Sequence, residues 1–183
     1  MWNFLRNLFQ RDMNENELEF YNQAIQHIKN RTNELIKMID QSINEREIHM
    51  YLSSSLYLDD EDVSIDEKIK ALIKLRSKML KMLECDKIRT RVAKAWHPMC
   101  WSYYLFKRFN LKFFENYTMY GFSVTFYPSK PVLIAHYTFK EDYNSFKFIF
   151  VHELTHSLMG TKDLNATNYK DAINDAWTLC FIF

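Results

Sequence analysis

Hydrophobic residues recur at helical spacing through the first part of the chain. Between Asn14 and Leu52 they occupy every third or fourth position, which predicts one long helix or two in succession. The stripe consists of Leu18, Tyr21, Ile25, Ile28, Leu35 and Ile39, with Thr32 in the one gap. The positions between them are largely Glu, Asn and Gln, so we expect that face to lie in solvent.

A second helical stripe follows four consecutive acidic residues at 59–62, which are typical of a solvated connection. Ser64 and Glu67 have the spacing of a capping box and predict where the helix begins. Its apolar positions are Ile65, Ile69, Leu72, Leu75 or Arg76, Met79 and Leu83. Its other face is basic as far as Lys94, and we expect Pro98 to break or kink the helix.

The pattern changes from helical to alternating after Gly121. Phe122–Tyr127 alternates as a strand does, and Val132–Thr138 predicts a second strand. Asp142 supplies an N-cap for the helix that follows. The segment Asp171–Phe183 predicts a closing helix. Its inward positions are Ala172, Ala176, Leu179 and Cys180.

These elements predict an α+β fold in a single domain over residues 1–183. Helices fill the part from about residue 14 to 115, and a small sheet with one central helix fills the part from about 118 to 183. Apolar residues make up 48% of the chain and aromatic residues 16%, which is enough to bury a core. We expect an aromatic segment to lie in that core. Its members are Trp96, Met99, Trp101, Tyr103, Tyr104, Leu105 and Phe106.

The first residues, MWNFLRNLFQRD, lack the continuous apolar stretch and the cleavage site of a secretory signal peptide. No apolar run is long enough to span a bilayer. The three cysteines contain no CxxC pair, which indicates reduced thiols. We therefore expect a protein that stays in the cytoplasm or leaves by a leader-independent route, as an effector or toxin does. The sequence leaves the oligomeric state open.

The net charge of +1 carries no information about partners, but the charge is unevenly distributed. Residues 68–112 hold thirteen Lys or Arg against two acids, and residues 14–62 hold eleven acids against four bases. A basic face of this kind could follow the phosphates of a nucleic acid. The acidic first helix offers an internal partner instead, so we expect no nucleic acid.

The segment Phe148–Asp163, FIFVHELTHSLMGTKD, contains the residue types of a metal site. His152 and His156 are four positions apart, so on a helix their imidazoles share a face. Two neutral imidazoles in this arrangement can hold one Zn²⁺. Glu153 can then reach a water at the metal and take its proton. The spacing predicts a zinc site with Glu153 as the general base.

The downstream sequence limits the choice of a third ligand. It contains no further Glu after Glu153 and no further His after His156. The remaining donors are Asp163, Asp171 and Asp175, with Tyr169 and Cys180 as weaker options. We favour Asp163, because it is nearest and follows Gly160, where a helix can reverse through a left-handed C-cap.

HELTH followed by Gly160-Thr161-Lys162-Asp163 resembles the deuterolysin-type metalloendopeptidases, the aspzincins, which include peptidyl-Lys endopeptidases. Their signature is HExxH with a GTxD segment whose Asp is the third zinc ligand. The resemblance implies a zincin-like fold and a zinc metalloendopeptidase that acts on protein or peptide substrates. It also implies that Asp175, in a loose equivalent of the family's Asn-Ala-Asp-aromatic segment, lines a pocket for a basic substrate residue.

The chain departs from the family at the oxyanion donor. The family usually has a tyrosine three residues beyond the Asp, where this chain has Ala166. The first tyrosine is Tyr169, which becomes the candidate donor. His136 on the second predicted strand could approach the metal, but we expect it to point elsewhere.

The alternative function is an inactive helical module whose basic face binds an acidic partner, nucleic acid or membrane.

Overall fold

The computed structural model describes residues 8–101, 104, 120–122, 132–140 and 142–183. The chain has an α+β fold that combines helices with a four-stranded sheet. Most of the predicted strand Phe122–Tyr127 lies outside these residues. The same holds for Tyr103, Leu105 and Phe106 and for the side chain of Met99.

Two helices occupy the segment in which we predicted one or two. Helix α1, Glu15–Glu45, begins at Asn14 with a capping box, in which the side chains of Asn14 and Glu17 each accept a hydrogen bond from the other residue's N–H. Helix α1 ends at Arg46, which has a left-handed φ of 54°, and helix α2 is Met50–Ser55. The buried positions of α1 are Glu17, Ala24, Ile28, Thr32, Leu35, Ile39 and Ser42.

The third helix begins where the capping box predicts. Helix α3, Ile65–Met82, has Ser64 as its N-cap, and the Ser64 side chain accepts a hydrogen bond from the Glu67 N–H. It packs along α1, and Arg76 on its basic side pairs with Asp40 of α1 at 2.5 Å. The acidic first helix therefore partners part of the basic face. The buried positions of α3 are Ile69, Ala71, Leu72, Leu75, Met79 and Met82.

The sheet has the strand order β1-β2-β4-β3. Its strands are β1 Gln10–Arg11, β2 Thr90–Ala93, β3 Gly121–Phe122 and β4 Val132–Ala135. The two central strands, β2 and β4, run parallel, and each outer strand is antiparallel to its neighbour. The predicted strand Val132–Thr138 is therefore present but ends at Ala135.

Strand β2 corrects the prediction that the basic helix runs on to Pro98. The helix ends at Met82, and residues 90–93 pair with β4 instead. The β-branched residues Thr90 and Val92 suit a strand, and Val92 is fully buried. Arg91, which we placed on the basic face, is 3% exposed and lies 3.6 Å from Asp12. Strand β2 thus lies in the part where we expected only helices, and β1 lies before it, in a segment for which we predicted no strand.

The C-terminal part is built around helix α4, Tyr143–Leu154, which contacts α1 and strands β3 and β4. Asp142 is its N-cap, as predicted. One π-helical turn, Thr155–Met159, extends it. The predicted closing helix is divided into two short helices, α5 Tyr169–Ala172 and α6 Ala176–Ile182. All four predicted inward positions are buried.

Three members of the predicted aromatic segment have described side chains, and none of the three is buried in the core as predicted. Trp96 and Trp101 are 76% and 58% exposed, and Tyr104 is 37% exposed. The three cysteines are buried free thiols. Within the described parts of the chain, no helix has the length and apolar character needed to cross a membrane.

Candidate metal centre

Helix α4 carries the HExxH residues at its C-terminal end. Phe146, Phe150 and Leu154 recur at every fourth position and are fully buried, so they fix the helix in the core. His152 and Glu153 lie in the last turn of α4, and each is 7% exposed. The residues of the motif are therefore held by a rigid element rather than by a loop.

His156 lies in the π turn that extends α4. This turn ends at Gly160, whose φ of 66° and ψ of 37° are left-handed, as the predicted C-cap requires. The buried hydroxyls of Thr155 and Thr161 lie 3.0 Å apart across the reversal. The chain can then turn back so that Asp163 faces the histidines.

The side chains of His152, His156 and Asp163 converge, and we call these residues the His–His–Asp cluster. Asp163 Oδ1 lies 3.3 Å from His152 Nε2 and 3.4 Å from His156 Nε2. The two Nε2 atoms are 3.1 Å apart. The three atoms form a nearly equilateral triangle, which is suited to holding one metal ion. Among the described residues, no other group of three His, Cys, Asp or Glu is arranged to do so.

A backbone carbonyl fixes the tautomer of His156. Its Nδ1 lies 3.0 Å from the carbonyl oxygen of Thr161. A carbonyl oxygen can only accept, so Nδ1 carries the proton and Nε2 keeps its lone pair. This is the usual arrangement of a metal-binding histidine, in which the second nitrogen donates to a carbonyl or carboxylate.

His152 is positioned by packing. Its ring centroid lies 4.1 Å from that of Trp177 in α6. Burial, with a further contribution from His156, lowers the pKa of His152 to about 4, so the imidazole is neutral near pH 7 and has a lone pair for a metal. Its Nδ1 is buried and forms no hydrogen bond with any described residue.

The segment that carries Asp163 is tied to the α5–α6 turn. The Lys162 N–H donates to the Asn174 carbonyl, and the Ala176 N–H donates to the Lys162 carbonyl, both at 2.9 Å. Lys78 of α3 also holds this turn, since its Nζ donates to Asn174 Oδ1 and to the Ile173 carbonyl, each at 2.8 Å. The Asp163 backbone is therefore anchored, although its side chain is 57% exposed.

Strand β3 passes directly over Glu153. A Cβ atom placed on Gly121 would lie 2.6 Å from Glu153 Cγ and 2.8 Å from Glu153 Oε1. Any larger residue at this position would force the Glu153 side chain to shift. The absence of a Cβ at Gly121 thus makes room for the carboxylate that we predicted as the general base.

Asp175, which the resemblance placed in a substrate pocket, is 1% exposed. Its Oδ1 accepts a hydrogen bond from the Leu164 N–H at 2.8 Å, and its Oδ2 accepts from the Thr178 N–H at 2.9 Å and from the Thr178 hydroxyl at 2.8 Å. Burial favours a higher pKa for Asp175, but these hydrogen bonds outweigh it, and the pKa is lowered. The observed contacts make Asp175 the N-cap of α6 and give no support to a role in binding substrate.

Tyr169 begins α5 and is 9% exposed within the main core cluster. The Lys170 ammonium lies 5.6 Å from its ring centroid, and no described contact links its hydroxyl to the cluster. Its role as oxyanion donor therefore stays a prediction. His136 follows β4 rather than lying on it. Its Nδ1 lies 3.3 Å from the Ala93 carbonyl and its Nε2 2.5 Å from the Tyr104 hydroxyl, so it points away from the cluster, as expected.

The structure thus brings together the ligand atoms of three predicted site residues, the His–His–Asp cluster, and Glu153 adjoins His152 in the same helix. It adds two contacts that were not predicted, those of Trp177 with His152 and of Gly121 with Glu153. Both join segments distant in the chain, and no local motif indicates them. Comparisons of the chain with protein-family models, with curated proteins and with solved structures find no match.

Proposed function

We propose that this protein is a zinc metalloendopeptidase with a zincin-like arrangement of helix and sheet. The observation that supports this most strongly is the convergence of His152 Nε2, His156 Nε2 and Asp163 Oδ1 into one triangle. Glu153 stands next to the first histidine on the same helix. The sequence motif supplies the residue types, and the geometry supplies their common orientation.

The donor set and its dimensions fit Zn²⁺. Zinc prefers tetrahedral nitrogen and oxygen ligands at about 2.0–2.1 Å, which places the ligand atoms roughly 3.3 Å from one another. The three observed separations, 3.1, 3.3 and 3.4 Å, scatter around that value. Three protein ligands leave one position open, as catalytic zinc sites do and closed structural sites do not.

The exposure of the cluster also favours a catalytic site. The histidine side chains are 9% and 13% exposed, whereas the Asp163 side chain is 57% exposed. The cluster is thus buried on the side of the helix and open on the side of Asp163. We therefore expect a peptide to approach the cluster from the Asp163 side.

Each residue then has a distinct task in hydrolysis. When bound, zinc would polarise the scissile carbonyl and lower the pKa of a water molecule. Glu153 accepts the proton of the attacking water and returns it to the leaving amine. The Thr161 carbonyl keeps His156 in the metal-binding tautomer, and the ring of Trp177, tilted by 42° against the imidazole, keeps His152 in orientation.

Zinc content and peptide hydrolysis together test this proposal. The wild-type protein should hold one zinc per chain and cleave an unfolded protein substrate, and a chelator should abolish the cleavage. Asp163→Ala should lose most of the metal, whereas Asp171→Ala, which changes an aspartate outside the cluster, should keep it. Full zinc content in Asp163→Ala would show that the ligand set is wrong.

A further inference from the structure

A cavity of about 410 Å³ lies beside the N-terminal half of α4. Its described lining consists of Tyr120, Asn144, Ser145, Phe148 and Ile149. Three of these side chains are aromatic or aliphatic and two are small and polar, and none is charged. The volume falls in the range of pockets that bind small organic groups, about 300–1,000 Å³. We call this space the apolar cavity.

The apolar cavity adjoins the proposed catalytic residues at two places. Phe148 and Ile149 precede His152 by four and three positions on the same helix, so they lie one turn below it on the same side. Tyr120 directly precedes Gly121, the residue whose backbone lies close to the Glu153 side chain. One wall of the cavity is therefore one helical turn from His152, and the other adjoins the residue next to Glu153.

The walls of the cavity are held rigidly. Phe148 packs against Trp177 and Phe181, with ring centroids 5.9 and 5.2 Å apart. Tyr120 packs edge-to-face against Tyr137 at 5.5 Å. A cavity with fixed aromatic walls can select for the size and polarity of its occupant.

The lining favours an apolar occupant over a basic one. Among the described lining residues there is no carboxylate to pair with a lysine ammonium, so this lining offers apolar contacts rather than a charge partner. The nearest acid along the helix is Asp142, whose carboxylate accepts hydrogen bonds from the Ser145 N–H and hydroxyl. Asp175, the acid suggested by the resemblance, is occupied by Leu164 and Thr178.

We infer that the apolar cavity is the specificity subsite of the enzyme and that it binds a large aliphatic or aromatic side chain adjacent to the scissile bond. This inference rests on the proposed endopeptidase function. It predicts a substrate preference opposite to the lysine preference implied by the resemblance. The side chain would enter between Tyr120 and Ile149, while the peptide bond next to it would lie over the His–His–Asp cluster.

Cleavage-site profiling on a peptide library tests the inference. The zinc-loaded wild type should show one position adjacent to the scissile bond at which Leu, Met or Phe is cleaved at least about tenfold faster, in kcat/KM, than Ala or Lys. Ile149→Trp should fill the cavity and remove this preference in favour of small residues. Ser145→Phe fills it from the first turn of α4 and serves if Ile149→Trp fails to fold.

The matched control is Ile73→Trp, which makes the same change at a half-exposed isoleucine of α3 and should leave the profile unchanged. Zinc content and thermal unfolding are measured for each variant, so that loss of the metal site is not mistaken for a change of specificity.

A basic preference in the wild type, or a profile that both filling variants leave unchanged, would overturn the inference while the protease function stands. No hydrolysis of any peptide by the zinc-loaded wild type would overturn the function and the inference together.

Discussion

Replacing Gly121 with alanine should reduce catalysis without removing the metal. The new methyl carbon would lie 2.6 Å from Glu153 Cγ, whereas ordinary contact begins at 3.4 Å. The Glu153 side chain must therefore move by about 0.8 Å or more, since it is the flexible partner in this contact. The φ angle of Gly121 is not in the left-handed region, so alanine adds no backbone strain there.

A displacement of this size is costly for a general base. A misplacement of about 1 Å can cost roughly 100-fold in rate, and a 100-fold loss corresponds to about 2.7 kcal/mol of transition-state stabilisation. We therefore expect kcat/KM of Gly121→Ala to fall by about 100-fold. The zinc content should stay at one per chain, because the nearest atoms to the new methyl carbon belong to Glu153, which is not a proposed ligand.

The assay compares kcat/KM, zinc content and thermal unfolding for the wild type, Gly121→Ala, Glu153→Gln and the double variant. In the Glu153→Gln background the base is already lost, so Gly121→Ala should have little further effect. Activity of Gly121→Ala within about threefold of wild type, at unchanged stability, would refute the proposed role of this contact. Equal losses in both backgrounds would show that Gly121 acts through something other than Glu153.

Three further predictions concern the surroundings of the centre. Gly160→Ala should lower the free energy of unfolding by about 1–2 kcal/mol, because its φ of 66° disfavours a side chain, and Gly160→Asn should lose less in the same denaturant titration. Asp175→Ala should cost about 1–2 kcal/mol as a lost N-cap, whereas Asp175→Asn should leave the cleavage profile unchanged. Burial and the nearby charges of Lys74 and Lys81 lower the pKa of Lys78 to about 8 in the folded protein, from 10.5. Between these two pH values the unfolded chain binds more protons at Lys78 than the folded protein does. The free energy of unfolding should therefore rise with pH in that window. Lys78→Met should flatten that rise in thermal unfolding measured at pH 8 and pH 10, and an equal rise in both proteins would contradict it.

The parts of the fold that follow from local chemistry could be predicted from the sequence. Ser64 and Asp142 cap helices at the predicted positions, because an N-cap depends on hydrogen bonds within one turn. The short strands β1 and β2 could not be predicted, since pairing with distant segments defines them and they have only two and four residues. Asp175 is a residue type that favours the N-cap position and so could have indicated that α6 begins after it. We had assigned Asp175 to substrate binding instead.

The same distinction applies to the candidate centre. His152, Glu153, His156 and Asp163 lie within twelve residues, so helix geometry and one reversal suffice to bring them together. The contact of Gly121 with Glu153 depends on how a strand crosses a helix, which no spacing in the sequence encodes. Trp96 was predicted to be buried because it is hydrophobic, yet it is exposed. Its exposure depends on the path of the chain after β2, which its hydrophobicity does not indicate.

The central claim is that this chain hydrolyses peptide bonds with Glu153 as the general base, and one paired measurement tests it most directly. Wild type and Glu153→Gln are each loaded with zinc, shown to hold one equivalent, and incubated with a denatured proteome whose new N-termini are then sequenced. We expect new termini from the wild type and a loss of several orders of magnitude with Glu153→Gln, because the metal remains while the proton acceptor is gone. Equal numbers of new termini from both proteins, or none from the zinc-loaded wild type, would contradict the claim.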